Sequence, residues 1–201
     1  MPKFADRYPR PQAVKRILHV VLVSAVIPSV LIGQQAAAGQ RPVGRAVGAV
    51  TTRYGKWLIA AFDSIPAEKY AFRPTPAQQT IGYIAQHLES SNYALCSFFA
   101  AAKYVKTGRD SVTATIRATW PKDTLVSRLR ASLAFCDAAM SSLPDSGLSA
   151  AIPGGPTGVR ADFVLGWITD LADHYSQIAN YMRLNGLLPP SAIPERAVPP
   201  R

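Results

Sequence analysis

The stretch Ile168–Pro190, ITDLADHYSQIANYMRLNGLLPP, has the pattern of a long helix that ends at a defined point. Apolar residues recur along it every three or four positions, as they do on one face of an α-helix. Gly186 is the residue type that most often follows a helix end, and Pro189 and Pro190 prevent the helix from continuing. The stretch therefore predicts an amphipathic helix that begins near Arg160 and ends at Gly186.

Three earlier segments have the same helical spacing, and no convincing alternating pattern of a strand is present. They are Pro42–Asp63, a segment that begins after a Thr80 cap and runs to about Tyr104, and Pro121–Leu143. Four long helices with one apolar stripe each can bury those stripes against one another. The sequence therefore predicts an all-α fold, an up-down four-helix bundle over residues 41–190, with a flexible Pro-rich tail at 191–201.

The N-terminus has the three parts of a secretory signal. Met1–Arg16 is basic, Ile17–Gly33 is uncharged and apolar, and Ala36 and Ala38 are the small residues that a signal peptidase requires. We expect cleavage after Ala38, which would leave no stable membrane span. The alternative is a membrane anchor, because the apolar run approaches the length of a span. Both alternatives place the folded part outside the cytoplasm, and the first predicts a periplasmic or extracellular protein.

The charge of the chain argues against a nucleic-acid partner. Residues 1–38 contain five basic residues and one acidic residue, so their removal lowers the formal net charge from +10 to +6. The remaining basic residues are scattered along the chain, whereas a nucleic-acid-binding protein concentrates them on one face. We expect a basic, solvated surface.

The two cysteines, Cys96 and Cys136, both lie in apolar helical segments. A disulfide is common in an exported protein, but free cysteines are also among the most buried residues. The sequence leaves a disulfide and two buried thiols equally open.

Three polar residues interrupt the apolar stripes at positions that would meet inside the bundle. Asp170 and His174 are four residues apart on the last helix, and His87 lies on the second. Two imidazoles and one carboxylate are a ligand set of catalytic zinc and of non-haem iron(II). The alternative is an Asp–His hydrogen bond in the core, which would satisfy both groups without an ion.

Four further side chains are candidates for contact with the metal ligands or a substrate: Tyr83, Asp173, Tyr175 and Tyr181. Asp173 is about 100° around the helix from His174, which also suits a solvated charge. The tyrosines have the alternative role of packing residues with the hydroxyl at the rim. Gly-rich phosphate loops and nucleophile elbows do not occur, and no residue is assigned as catalytic.

Two stretches, Glu68–Tyr93 and Asp173–Ser191, resemble the DinB-like proteins. The first contains a Phe-Arg-Pro-x-Pro segment before a helix with a histidine, and the second a His-Tyr pair followed by Tyr-Met-Arg-x-x-Gly-x-x-Pro-Pro. The resemblance implies a four-helix bundle that binds a divalent metal through three histidines, one from the second helix and two from the last. The first and last of these match His87 and His174, whereas the middle position is Asp170.

The resemblance implies zinc, nickel, manganese or iron as the metal and a small molecule as the ligand or substrate. We expect a metal-dependent hydrolase of unknown substrate. One alternative is a non-catalytic, ligand-binding or stress-related bundle with a vestigial metal site. The other is a thiol-dependent transferase, for which Arg183 is the one candidate contact to the thiol's carboxylates. A homodimer is compatible with so much apolar surface.

Overall fold

The computed structural model describes residues 41–100 and 103–194, which form five α-helices. The predicted signal segment 1–38 and residues 195–201 of the Pro-rich tail lie outside the described residues. Within the described part, none of the helices has the length and apolar character needed to cross a membrane. The helices are α1 (Pro42–Ser64), α2 (Ile81–Cys96), the short α3 (Ala114–Arg117), α4 (Lys122–Ser142) and α5 (Arg160–Leu184).

The four long helices form one bundle, as the apolar stripes predicted. Both α1 and α2 pack against α4 and α5, so the order around the bundle is α1, α4, α2, α5. α1 therefore lies diagonally opposite α2, and α4 opposite α5, whereas α2 is a direct neighbour of both α4 and α5. The core between them is made of fully buried side chains from all four helices, among them Leu58, Phe62, Leu88, Leu129 and Trp167.

Two predicted helix ends are confirmed by their hydrogen bonds. Thr80 caps α2, because its Oγ1 accepts a hydrogen bond from the backbone N–H of Tyr83 at 3.1 Å. Gly186 has a φ of +72° after the last turn of α5. The N–H of Leu187 donates to the carbonyl of Met182 at 2.9 Å, which completes a Schellman motif.

The second helix is shorter than the sequence predicted: it ends at Cys96 and not near Tyr104. The last turn tightens, since the N–H of Phe98 donates to the carbonyl of Leu95 three residues earlier. The chain then folds back, and Tyr104 stacks on Tyr93 with ring centroids 3.6 Å apart. Tertiary packing therefore overrides a helical pattern that continues in the sequence.

The start of α2 is fixed by the segment before it. The N–H groups of Ile81 and Gly82 donate to the carbonyls of Phe72 and Tyr70 at 3.1 and 2.9 Å. A Cβ on Gly82 would lie 2.2 Å from the carbonyl oxygen of Ala118, so the glycine permits the close approach of the chain after α3. These contacts hold α2 in place less than two turns before His87.

The open question about the cysteines is resolved in favour of a disulfide. Cys96, the last residue of α2, is bonded to Cys136 in α4, and both side chains are fully buried. The bond joins positions 40 residues apart, on either side of the irregular segment between α2 and α4. It therefore covalently fixes the end of α2 against α4.

A buried ion-pair cluster ties the other side of α2 to α4. Glu89, which is only 2% exposed, lies two residues from His87 and so about 200° around the helix. Nη2 of Arg128 is 2.5 Å from Oε1 of Glu89 and 2.7 Å from Oδ1 of Asp110. Burial opposes the ionisation of Asp110, but hydrogen bonds from Thr107 and the charge of Arg128 lower its pKa to about 2. Asp110 is thus charged at neutral pH, and Arg128 pairs with both carboxylates.

Candidate metal centre

The packing of α2 against α5 brings the three predicted ligands together. Nε2 of His87 lies 3.5 Å from Oδ1 of Asp170, and Nε2 of His174 lies 3.4 Å from the same oxygen. The two imidazole rings meet edge to face, with centroids 4.7 Å apart. The convergence that the sequence indicated is present in the structure, while the role of these residues as metal ligands stays a prediction.

A buried amide sets the register of α2 and α5 next to this cluster. The side chain of Asn92 accepts a hydrogen bond from Nε1 of Trp167 at 3.0 Å and donates one to Oγ of Ser132 at 2.9 Å. Asn92 is completely buried, and Trp167 precedes Asp170 by one turn. Because each of these polar groups would be costly to bury unpaired, the alternative registers of the helices are disfavoured. Three helices are thereby held in one alignment beside the cluster.

The spacing of the three side chains fits a single ion. One ligand atom from each residue can be chosen so that all three lie within 4.8 Å of one another. Ligands about 2.1 Å from a tetrahedral ion are about 3.4 Å apart. The two separations from Asp170 Oδ1, 3.4 and 3.5 Å, have this value. The cluster is thus able to hold a divalent metal with little rearrangement.

The charge of Asp170 favours a cation at this position. Burial would raise the pKa of its carboxyl group, but hydrogen bonds from His174, His87 and Ser91 hold it well below the usual range. Burial also opposes the protonation of His174, yet the hydrogen bond and charge of Asp170 raise the pKa of this imidazole. The carboxylate therefore attracts positive charge, which either a proton or a metal ion can supply.

One oxygen of the cluster has an unfilled hydrogen-bonding capacity. Oδ2 of Asp170 is buried and has no hydrogen-bond partner of good geometry among the described residues. A buried carboxylate oxygen without a partner carries a free-energy cost, which coordination of an ion would remove. This atom supports the fit of a metal better than it supports a closed Asp–His hydrogen bond.

The cluster is accessible from one side. The side chains of Asp170 and His174 are 19% and 15% exposed, whereas that of His87 is 40% exposed. Solvent therefore reaches the cluster past His87. A surface groove of about 590 Å³ lies elsewhere, between α1 and α4, and none of the three residues lines it.

The three tyrosines that were predicted to lie near the cluster have different surroundings. Tyr175 packs on Trp57, and its hydroxyl accepts a hydrogen bond from the N–H of Ser191 at 2.8 Å. Tyr181 is buried against Phe72, and burial raises the pKa of its hydroxyl. Tyr83 is half-buried and lies one turn before His87 on α2. Contact of these tyrosines with a substrate stays a prediction.

Two polar residues near the cluster were not predicted as part of the site. Gln177 lies beside His174, with its Oε1 3.2 Å from Nδ1 of the imidazole, and it also contacts Asp173. The other is Ser91, whose side chain helps to lower the pKa of the Asp170 carboxyl group. The signal for Gln177 is its position three residues after a candidate ligand, which places the two side chains on one helix face.

Comparison with known proteins agrees with this architecture. The sequence model of the DinB superfamily matches residues 55–178, which is more than half of the chain. A crystal structure of a DinB-like protein from Bacillus cereus has a TM-score of 0.54 to this structure at 20% sequence identity. The match covers 69% of this chain and 90% of that one, and at this identity it concerns the fold alone. No curated protein matches the chain. On the family match, this chain belongs to the DinB superfamily.

Proposed function

We propose that this protein binds one divalent metal ion through His87, Asp170 and His174. The observation that carries the proposal is the convergence of three ligand atoms within 4.8 Å. The match to the DinB superfamily supports it independently, because that match comes from the sequence and not from these distances. Three protein ligands with one side open to solvent are typical of catalytic metal sites, whereas structural sites use four. Zinc, nickel, manganese and iron(II) are all compatible with two imidazoles and one carboxylate.

The proposed activity is metal-dependent hydrolysis of a small molecule. A divalent ion in such a site supplies Lewis acidity, which polarises a carbonyl or phosphoryl group and acidifies a water molecule. The protein's own contribution is to hold the ligands in register through Asn92 and Trp167 and to leave an approach past His87. Asp173, which is exposed on α5, is the nearest further carboxylate along this helix for proton transfer.

Two other functions make different predictions for the same site. A vestigial bundle would bind no metal, and Asp170 would remain paired with the histidines alone. A thiol-dependent transferase would need a cation facing the site, but Arg183 is nine residues after His174, about 180° around α5. Arg183 lines a shallow groove with Trp57 and Tyr175 instead. The hydrolase is therefore the better supported of the two enzymatic alternatives.

Replacement of two ligands should abolish metal binding. We expect near-stoichiometric metal in the protein purified without an affinity tag or added metal, and almost none in Asp170→Ala/His174→Ala. The loss of one carboxylate and one imidazole leaves a single ligand, which cannot retain the ion through purification. Elemental analysis by mass spectrometry measures the content. The metal-bearing protein is then screened for hydrolysis of ester, amide and phosphoester substrates.

The matched control is Asp123→Ala, which removes an exposed carboxylate from α4 and leaves the cluster intact. It should retain the metal content of the unchanged protein. Absence of metal from the unchanged protein, with reconstitution by zinc, nickel, manganese and iron(II) also failing, would contradict the proposal and favour the vestigial site.

We also propose that the protein is exported and acts in the periplasm or outside the cell. The signal-like pattern of residues 1–38 supports this location, and so does the buried Cys96–Cys136 bond, since disulfides persist in oxidising compartments. The mass of the protein isolated from its source cells should correspond to a chain that begins at Gly39. A mass that includes residues 1–38 would indicate an anchor or an intracellular protein.

A further inference from the structure

Three side chains on the exposed side of α5 form a hydrogen-bonded chain that ends at the candidate metal centre. Nε2 of Gln177 donates to Oδ2 of Asp173 at 2.9 Å, and Oε1 of Gln177 is 3.2 Å from Nδ1 of His174. The spacings of three and four residues place all three side chains next to each other on the helix surface. On its other side, Nε2 of His174 faces Asp170.

The chemistry of these groups determines where the hydrogens lie. An ionised carboxylate only accepts hydrogen bonds, so Asp173 requires the NH2 group of Gln177. The amide oxygen of Gln177 then faces His174, and it requires an N–H at Nδ1. The reverse orientation of the amide would place two acceptors together at Asp173. Gln177 therefore favours the hydrogen of the neutral imidazole on Nδ1, which leaves the lone pair of Nε2 for an ion. Without an ion, Oδ1 of Asp170, 3.4 Å from Nε2, competes for that hydrogen.

We propose that Asp173 and Gln177 are positioning residues that present Nε2 of His174 to the metal. The inference rests on the proposed metal site and adds the residues that prepare one of its ligands. Metal-binding histidines generally donate their second ring N–H to such a partner, which fixes the tautomer and the ring orientation. Gln177 accepts that bond, and Asp173 orients Gln177.

The two histidines of the site differ in the hydrogen bonding of their ring nitrogens and in their exposure. Among the residues that the structure describes, Nδ1 of His87 has no hydrogen-bond partner, and its side chain is 40% exposed. His174 is 15% exposed and is held on both nitrogens. The α5 side of the site is thus prepared before an ion arrives, and His87 closes on it from the α2 side.

Replacement of Gln177 by leucine tests the proposal. Gln177→Leu should weaken zinc binding about 10- to 100-fold, the usual effect of removing an outer partner of a metal ligand. Gln177→Glu keeps an acceptor for the Nδ1 hydrogen and should retain affinity within a few-fold. The dissociation constant is measured by competition with a chromophoric chelator. Asn180→Leu is the matched control, because it makes an amide-to-leucine change at an exposed position of the same helix.

A second readout does not depend on metal. Heteronuclear NMR of the histidine ring nitrogens in the metal-free protein should show a larger fraction of the Nδ1–H tautomer of His174 in the unchanged protein than in Gln177→Leu. In Gln177→Leu the balance should move towards the Nε2–H tautomer, which donates to Asp170, while Asn180→Leu should keep the original spectrum.

The outcomes separate this inference from the proposed function. If the unchanged protein binds no zinc, the metal site is wrong, and an unchanged tautomer in Gln177→Leu would overturn the positioning role as well. If the unchanged protein binds zinc and Gln177→Leu binds it as tightly as Asn180→Leu does, the site stands and the positioning role is overturned. Thermal unfolding of all variants identifies any loss of affinity that follows from partial unfolding.

Discussion

Arg128→Ala should lower the free energy of unfolding by about 3–5 kcal/mol, one of the two largest effects that we expect from any change in this chain. Arg128 contacts two carboxylates with the same nitrogen, and the side chain of Glu89 is only 2% exposed. Without the guanidinium, the nearest cation to Glu89 is Arg117, whose Nη1 is 3.9 Å from Oε2. The buried charge would lose most of its compensation, and denaturant titration would measure the cost.

The neighbouring Arg130→Ala is the control for this experiment. Arg130 lies two residues away on α4 and pairs with Asp63, but these side chains are 54% and 47% exposed. Exposed pairs contribute about 0–1 kcal/mol, so we expect a loss in that range. The double variant Glu89→Met/Arg128→Met should recover part of the stability lost in Arg128→Ala, because the buried carboxylate of Glu89 disappears with its cation. Asp110 remains in that variant, but it keeps its hydrogen bonds from Tyr104 and Thr107. An equal effect of Arg128→Ala and Arg130→Ala would show that Glu89 is solvated and that the cluster does not anchor α2.

The parts of the fold that were predictable have local causes. The cap at Thr80 and the glycine at Gly186 depend on residues within one turn, and both ends are as the sequence indicated. The end of α2 at Cys96 depends on contacts with distant residues instead. The disulfide to Cys136 and the fold-back of Tyr104 onto Tyr93 have no signal in the apolar spacing.

The same distinction applies to the candidate site. The cluster of His87, Asp170 and His174 was predictable because each residue interrupts an apolar stripe on its own helix. The placement of α1 diagonally opposite α2, and of α4 opposite α5, was not predictable, since the packing partner of a stripe is not encoded within that stripe. The spacing of residues in α2 does not mark Glu89 as buried. Its burial is explained by Arg128, which α4 brings beside it.

Removal of the disulfide should lower the free energy of unfolding by about 4 kcal/mol at 25 °C. The bond closes a loop across a sequence separation of 40 residues, and the loss of chain entropy in the unfolded state for a loop of this size gives about that value. Cys96→Ala/Cys136→Ala removes both sulfurs and leaves no unpaired thiol. Denaturant titration of this variant and of the unchanged protein without reductant measures the difference.

A reductant separates the contribution of the bond from that of the sulfur atoms in the core. Both sulfurs are fully buried, so a reductant reaches them only when the bundle opens. Dithiothreitol should therefore act on the unchanged protein after a cycle of unfolding and refolding, and it should leave the Cys96→Ala/Cys136→Ala variant unaffected. A stability of the reduced protein equal to that of the oxidised protein would mean that the packing of α2 on α4 alone holds the end of α2. In that case Asn92, whose carbonyl lies 3.3 Å from Sγ of Cys136, and the Glu89–Arg128 pair would be the principal links between these helices.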